Sequence, residues 1–174
     1  VCIFEDDSYK NFLPLAYNRP VYELRCGIYS FLERIVLQYP DTEINLFCRD
    51  YLKSLVTESH PYHVNKINKD KDCLFINGRY LLSMPIAIDG KEEIGINDNT
   101  IVYARLNKKH CLSITPEKFL DNNFIDELKG KFNVNIVNAG LANYPWDLIG
   151  LNKKQITTDF TSNIKGESIQ ENKY

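Results

Sequence analysis

Short apolar runs alternate along this chain with amphipathic stretches. The segment 62–67 alternates and 100–106 is rich in β-branched residues, whereas 1–4, which ends at Glu5, Asp6 and Asp7, and 73–76 are apolar at successive positions. Such runs are typical of parallel strands that are covered by helices on both faces. The pattern predicts strands at 1–4, 44–48, 62–67, 73–76, 100–106 and 134–137.

Most of the segments between these strands have apolar residues at helical spacing. The predicted helices cover 28–39, 49–57, a segment that begins at Thr115-Pro116 and is interrupted at Asn122-Asn123, and 148–160. Gly130 is expected to close the interrupted helix, and Asp89-Gly90 predicts a turn between two short strands. Alternating strands and helices indicate an α/β fold with a mainly parallel sheet.

Composition agrees with one globular domain and excludes several functional classes. The chain has 174 residues, of which 44% are hydrophobic and 25% charged, and its formal net charge is −2. No global basic field favours nucleic acid, and no apolar run is long enough to span a membrane. Five scattered cysteines without a Cys-x-x-Cys pair predict a reduced, cytoplasmic protein, and the acidic start predicts no signal peptide. Residues 1–160 are expected to form the domain, and 161–174 a polar linker or tail.

Candidate ligand-binding residues lie where predicted strands end, which is where open α/β sheets bind ligands. Asp6 and Asp7 follow the first strand; they fit a ribose, a base or a metal, or they cap a turn. Asn77, Gly78 and Arg79 follow the 73–76 strand. Asn77-Gly78 is also a plain turn signal, and Arg79 fits a phosphate or simply covers the end of the sheet.

Two arginines precede the first predicted helix. Arg19 and Arg25 flank Pro20 and come before Gly27. Guanidinium groups grip phosphates in bidentate fashion, and glycine lets the backbone approach a ligand. The alternatives are that one arginine caps a helix or pairs with Glu23 on the surface, and that Gly27 is an ordinary helix-start glycine.

Four local signatures together resemble the sugar-1-phosphate nucleotidyltransferase family, over about residues 1–160. They are IFEDD (3–7) with LPL (13–15), NRPVYELRCGI (18–28), LFINGR (74–79) with VYARL (102–106), and YPWD (144–147) with Asn152 and 159–160. More closely, the chain resembles a divergent bacterial branch that is found with bifunctional N-acetylglucosamine-1-phosphate uridylyltransferase/acetyltransferase-like proteins. The resemblance implies a Rossmann-like nucleotide-diphospho-sugar transferase fold with helices on both faces of the sheet.

The chain departs from the pattern of the mainstream family at two places. The glycine-rich first loop is missing, and Arg19-Pro20 stands roughly where that family has Pro-Lys. Asn77 occupies the position of one metal-binding Asp, whereas Asp147 fits the second, with helix capping as its alternative. The resemblance therefore implies Mg²⁺ as cofactor, with Asp147 as its protein ligand.

The function that the resemblance implies is transfer of a nucleoside monophosphate from UTP to an N-acetylhexosamine 1-phosphate. Arg19 and Arg25 would be catalytic, and Asp6, Asp7, Gly27, Asn77, Gly78 and Arg79 would bind substrate. We expect one cleft at the carboxyl ends of the strands to be lined by Arg19 or Arg25, Asp6 or Asp7, Arg79 and Asp147. The implied partners are a nucleoside triphosphate and a sugar 1-phosphate, with a left-handed β-helix acyltransferase domain downstream in a longer protein. Two alternatives to an enzyme remain open: a non-catalytic module that binds a nucleotide or nucleotide sugar, and an assembly domain that contacts a partner through its surface. A homo-oligomer is a further possible partner arrangement.

Overall fold

A seven-stranded sheet organises the residues that the computed structural model describes, which are 1–68 and 70–166. Its strands are β1 (Cys2–Phe4), β2 (Asn45–Phe47), β3 (His63–Val64), β4 (Cys73–Asn77), β5 (Glu93–Asn97), β6 (Thr100–Leu106) and β7 (Asn133–Ile136). The α-helices are α1 (Phe31–Leu37), α2 (Lys53–Ser59), α3 (Lys108–Cys111), α4 (Pro116–Phe119), α5 (Phe124–Lys129) and α6 (Pro145–Gly166). Short 3₁₀ helices occupy Asp7–Phe12, Val21–Glu23 and Asp50–Leu52.

The strand order is β3-β2-β1-β4-β6-β5-β7, and most neighbours run parallel. β1 is parallel to β2 and β4, β2 to β3, and β5 to β7, whereas β6 is antiparallel to both β4 and β5. The reversed strand brings Thr100, the first residue of β6, to the edge where β1 and β4 end. The expected mainly parallel α/β sheet is confirmed.

Both faces of the sheet are covered, because side chains alternate along the buried strands. Ile3 of β1 points to one face and Phe4 to the other. The first face packs against α1 and the 3₁₀ helices, with Phe12, Tyr22, Phe31, Ile35, Leu46 and Ile76 among its buried residues. The second packs against α3 to α5, with Phe47, Phe75, Phe119, Phe124 and Leu128. Helices on both faces are therefore confirmed.

One expected turn was misplaced. The hairpin turn lies at Asp98-Asn99, between β5 and β6, and both residues have left-handed φ angles of 45° and 61°. Asp and Asn tolerate this conformation, which tight hairpins require. Asp89-Gly90 instead belongs to a loop before β5, where the Arg105 guanidinium donates to the carbonyls of Ala87 and Lys91. This loop is therefore held by the Arg105 side chain and not by pairing between two strands.

Helix boundaries differ from the expectation at both ends of the chain. α1 begins at Phe31, because Ser30 caps it and the preceding residues form a loop. α6 begins at Pro145 and continues through 161–166, within the segment expected to be a linker or tail; residues 167–174 lie outside the described part. The break at Asn122-Asn123 is confirmed, since α4 and α5 lie on either side of it. Every described helix is too short or too polar for a membrane span.

Candidate functional site

A hydrogen-bonded network joins the carboxyl ends of β1 and β4. The Asn77 side-chain amide donates to Asp6 Oδ2 at 2.8 Å and to the Ile101 carbonyl at 2.9 Å. Its Oδ1 accepts the backbone N–H of Arg79 at 2.9 Å, and the residue is 0% exposed. Both ends of the Asn77 amide are therefore used inside the protein.

Arg79 is the buried guanidinium of this network. Its Nε and Nη2 donate to the two oxygens of Asp6 at 2.9 and 2.7 Å, which is a bidentate pair. Its Nη1 donates to the Ala142 carbonyl at 2.6 Å and to Asn143 Oδ1 at 2.9 Å. Arg79 is only 1% exposed, so in this structure it covers the end of the sheet and does not reach out to a phosphate.

Gly78 has a packing role at the same edge. Its N–H donates to the Phe4 carbonyl at 2.8 Å. A Cβ at this position would lie 2.9 Å from the Tyr22 side chain and 3.0 Å from the Phe4 carbonyl oxygen. The contacts of Gly78 are thus with the core.

Beside this network a small crevice of about 70 Å³ opens at the carboxyl edge. Asp6 and Asp7 line it, together with Ser8, Asn99, Thr100, Ile101, Asp121 and Asn122. Asp7 forms an ion pair with Lys10 and accepts a long, 3.4 Å bond from the Asn122 amide. Its carboxylate, amide and hydroxyl groups suit the hydroxyls of a sugar, and Phe4, Phe119 and Ile125 form the apolar part of its wall.

Arg19 and Arg25 lie in a different cavity, a groove of about 510 Å³ between α1 and the end of α2. Arg25 pairs with Glu33 at 3.2 Å, and the two side chains are 59% and 49% exposed. Hydrogen bonding from the Ser30 backbone N–H lowers the pKa of Glu33, and Arg25 acts in the same direction. On the same rim, Glu23 pairs with His60 at 3.0 Å. The arginines and the acids therefore do not line one cleft, contrary to our expectation.

A buried ion pair that sequence reasoning missed holds the segment that carries Arg19. Arg49 donates from Nε to Glu5 Oε2 at 2.8 Å and from Nη2 to the carbonyls of Ala16 and Arg19 at 2.6 and 2.9 Å. Glu5 Oε1 also accepts the Val21 N–H at 2.9 Å. Burial raises the pKa of Glu5, and Arg49 opposes that rise. The pair thus ties the backbone of Ala16, Arg19 and Val21 to the residue that follows β2 by two positions, and the Arg19 side chain lines the groove beside α1.

Gly27 approaches α6 in this structure. It has a φ of +84°, and a Cβ there would lie 2.5 Å from Asp159 Oδ2 and 2.8 Å from Gln155 Cβ. Its N–H donates to Asn152 Oδ1 at 2.8 Å. Glycine is required at this position by its left-handed backbone and by the contact with the helix.

Asp147 caps the start of α6. Its Oδ2 accepts the backbone N–H groups of Asn143 and Tyr144 at 2.7 and 3.0 Å. An acid in the first turn of a helix accepts backbone N–H groups that have no other partner at the helix start, and its negative charge interacts favourably with the helix dipole. This corresponds to the capping alternative for Asp147.

The residues at the two expected metal positions do not fit a resident Mg²⁺ site. The Asn77 oxygen accepts a backbone N–H, and one Asp147 oxygen is engaged in capping. Within the described residues, no three His, Cys, Asp or Glu side chains converge in a way that could hold a metal ion. Mg²⁺ is usually held by one or two carboxylates plus phosphates and waters, so a substrate would have to supply most of its ligands.

Comparison with known proteins places the chain in a family. The family model for sugar nucleotidyl transferases matches residues 1–168, whereas no curated protein matches. A candidate glucose-1-phosphate thymidylyltransferase from Bacillus anthracis, crystallised with a sucrose, shares the fold. It has a TM-score of 0.53 and 11% identity, over 89% of this chain and 94% of that one.

Two further solved structures overlap with the chain less closely. Molybdopterin-guanine dinucleotide biosynthesis protein A from Archaeoglobus fulgidus gives a TM-score of 0.49 at 8% identity, over 88% and 98% of the two chains. A 4-diphosphocytidyl-2C-methyl-D-erythritol synthase from Anaerococcus prevotii gives 0.48 at 12%, over 88% and 95%. The family model spans nearly the whole sequence, and the fold agrees with it. The chain therefore belongs to the sugar nucleotidyl transferase family.

Proposed function

We propose that this protein transfers a nucleoside monophosphate from UTP to an N-acetylhexosamine 1-phosphate. The observation that carries the proposal is the family match over residues 1–168. The choice of UTP and of an N-acetylated sugar follows the resemblance to the bifunctional uridylyltransferase branch. The products are a nucleoside-diphosphate sugar and pyrophosphate.

The chemistry asks the protein mainly to position substrates and neutralise charge. An oxygen of the sugar 1-phosphate attacks the α-phosphorus of the triphosphate, and the bond to the β-phosphate oxygen breaks as pyrophosphate leaves. No covalent enzyme intermediate is needed, so catalysis depends on orientation and on cationic groups near the phosphates. Mg²⁺ would accompany the triphosphate as its counter-ion and neutralise part of its charge.

Arg19 and Arg25 are the guanidinium groups that we assign to the phosphates. Both line one groove that is large enough for a ligand, and the Arg19 guanidinium forms no ion pair with any described residue. The Arg25–Glu33 pair is half exposed, and pairs of this kind contribute little stability. Exchanging that carboxylate for a phosphate therefore costs the fold little.

The carboxyl-edge residues take two different roles in this proposal. Asp7 faces the crevice and is assigned to substrate hydroxyls, and Asp6 reaches the same crevice while it is held by Arg79 and Asn77. Asn77, Gly78 and Arg79 act as the frame that holds Asp6, because their polar groups are used internally.

A second candidate function is a module that binds a nucleotide or nucleotide sugar without turning it over. The specific observation in its favour is Asn77, a buried amide at a position where the resemblance leads one to expect a metal-binding acid. An amide carries no charge, so it neutralises less of a divalent cation than a carboxylate does.

Pyrophosphate release separates these functions. We would incubate the protein with Mg²⁺, UTP or dTTP and a panel of sugar 1-phosphates, and identify the sugar nucleotide by mass spectrometry. Turnover that falls at least about 100-fold in the Arg19→Ala/Arg25→Ala variant, through two lost charge-assisted contacts, supports the proposal. The matched control is Lys53→Ala, an exposed charge on α2 outside the groove. No turnover, combined with a melting temperature raised by a nucleoside-diphosphate sugar, would establish the binding module instead.

A further inference from the structure

The last helix is bonded directly to the loop that carries Arg25. We call residues 25–30 the Arg25 loop; it is closed by a backbone bridge between Arg25 and Ser30. The inner face of α6 contacts this loop through Asn152, Gln155 and Asp159. These residues are more than 120 positions away in sequence, so the contact is purely tertiary.

Asp159 supplies a buried charge to this contact. It is 3% exposed and forms a bidentate pair with Arg34 of α1, whose Nη2 also donates to the Cys26 carbonyl at 2.7 Å. Asp159 Oδ2 accepts the backbone N–H of Ile28 at 2.9 Å. One carboxylate thus joins α1, the Arg25 loop and α6.

Asn152 makes the second bond and does so at the surface. Its Oδ1 accepts the Gly27 N–H at 2.8 Å, and the residue is exposed. Gly27 lies so close to α6 that it has no room for a Cβ. Two consecutive backbone amides of the loop, those of Gly27 and Ile28, are therefore fixed by side chains of one helix.

Ile28 links this anchoring to the arginine itself. Its N–H is bonded to Asp159, and its carbonyl accepts a hydrogen bond from Arg25 Nη1. The same guanidinium reaches Glu33 through Nη2. The Arg25 guanidinium is therefore bonded to the same residue, Ile28, that α6 holds through its backbone N–H, so the direction in which Arg25 enters the groove depends on this anchoring.

We propose that Asn152 and Asp159 are positioning residues that present Arg25 to the phosphates of the nucleoside triphosphate. This inference rests on the proposed function, and it adds residues of α6 to the substrate-binding machinery without placing them in contact with substrate. When the bond to Asn152 or Asp159 is lost, the Arg25 loop is less ordered in the free protein. Binding of the triphosphate must then order the loop, which reduces the net free energy of binding. The expected signature is a higher KM for the triphosphate with kcat nearly unchanged.

Asn152 provides the cleaner test because it is exposed and its replacement leaves the core intact. Asn152→Ala removes the acceptor, and KM for UTP should rise about threefold to tenfold, the value of one neutral hydrogen bond. Asn152→Asp keeps an acceptor oxygen and should restore KM to within about twofold of the wild type. The matched control is Lys154→Ala, an exposed α6 residue that does not contact the loop.

Hydrogen–deuterium exchange of peptides covering residues 25–30 gives a second readout. Exchange should be faster in Asn152→Ala than in the wild type, the Asp variant and the Lys154→Ala control. Wild-type KM in Asn152→Ala, or an Asp variant as impaired as the Ala variant, overturns the inference while the wild type remains active. If the wild type neither binds nor turns over a nucleoside triphosphate, the proposed function and this inference fall together.

Discussion

Replacing Arg49 by Met tests whether the Glu5–Arg49 pair holds residues 5–21 in place. Arg49 is buried together with Glu5, and its guanidinium also packs 4.1 Å from the Tyr9 ring centroid. Methionine fills much of the same volume but leaves Glu5 buried without its countercharge. Removing one partner of a buried pair costs about 3–5 kcal/mol. For a chain of this size, the melting temperature should fall by about 6–20 °C.

The loss should depend on pH in a defined direction. Burial already raises the pKa of Glu5, and removing Arg49 deletes an interaction that lowers it, so this pKa rises further. A carboxyl whose folded pKa is raised favours folding at low pH, and this contribution is lost as the pH rises through the folded pKa. The deficit of Arg49→Met should therefore be largest at pH 7 and above, and it should shrink as the medium is acidified.

Urea unfolding followed by circular dichroism at pH 7 and pH 5 measures both effects. Glu5→Gln/Arg49→Met removes both charges and keeps an acceptor for the Val21 N–H, so it should recover about 2 kcal/mol of the loss. The control is Lys71→Met, which deletes an exposed pair with Glu43 and should change stability by less than about 1 kcal/mol. An Arg49→Met variant as stable as this control, or a deficit independent of pH, would refute the reasoning.

Two further predictions concern the first helix and the thiols. Ser30→Ala breaks a capping box in which Ser30 Oγ accepts the Glu33 N–H at 3.1 Å, so unfolding free energy should fall by about 1 kcal/mol; an unchanged urea midpoint would contradict this. All five cysteines are buried, and burial raises the pKa of Cys48 and Cys111 to about 12. A disulfide reagent should therefore label the native protein slowly at pH 8 and all five thiols after unfolding, whereas one rapidly labelled thiol would count against the described packing.

Much of the sheet was predictable because β1 and residues 73–76 of β4 are continuous apolar runs and β6 is rich in β-branched residues. β1, β2 and β6 lie within the segments that the pattern indicated, and β4 extends one residue beyond its segment, to Asn77. The reversed direction of β6 has no comparable local signal, since it follows from pairing with β4 and β5 on either side. The tight turn at Asp98-Asn99 was overlooked in favour of Asp89-Gly90, although both pairs consist of residues typical of turns.

The site was less predictable because burial of a charge depends on distant partners. The chain has 21 basic residues, and their local context does not distinguish the buried Arg34, Arg49 and Arg79 from surface ones. Their carboxylates lie 125, 44 and 73 positions away along the chain. An arginine directly after a buried strand, as at Arg49, is the signal that could have been used. Arg19 and Arg25 remain candidates for phosphate binding because both line the same groove. The presence of Gly27 is explained by its close contact with α6, and that of Arg79 by its internal hydrogen bonds.

The bonds between the Arg25 loop and α6 also constrain the order in which the chain can fold as it is synthesised. Arg34 leaves the ribosome 125 residues before its carboxylate partner, Asp159. Until α6 emerges, burying that guanidinium is unfavourable, and the loop amides at Gly27 and Ile28 lack their acceptors. The side of the groove that carries Arg25 is thus fixed only after α6 has been made, so a nascent chain can assemble its sheet before this side of the groove is in place.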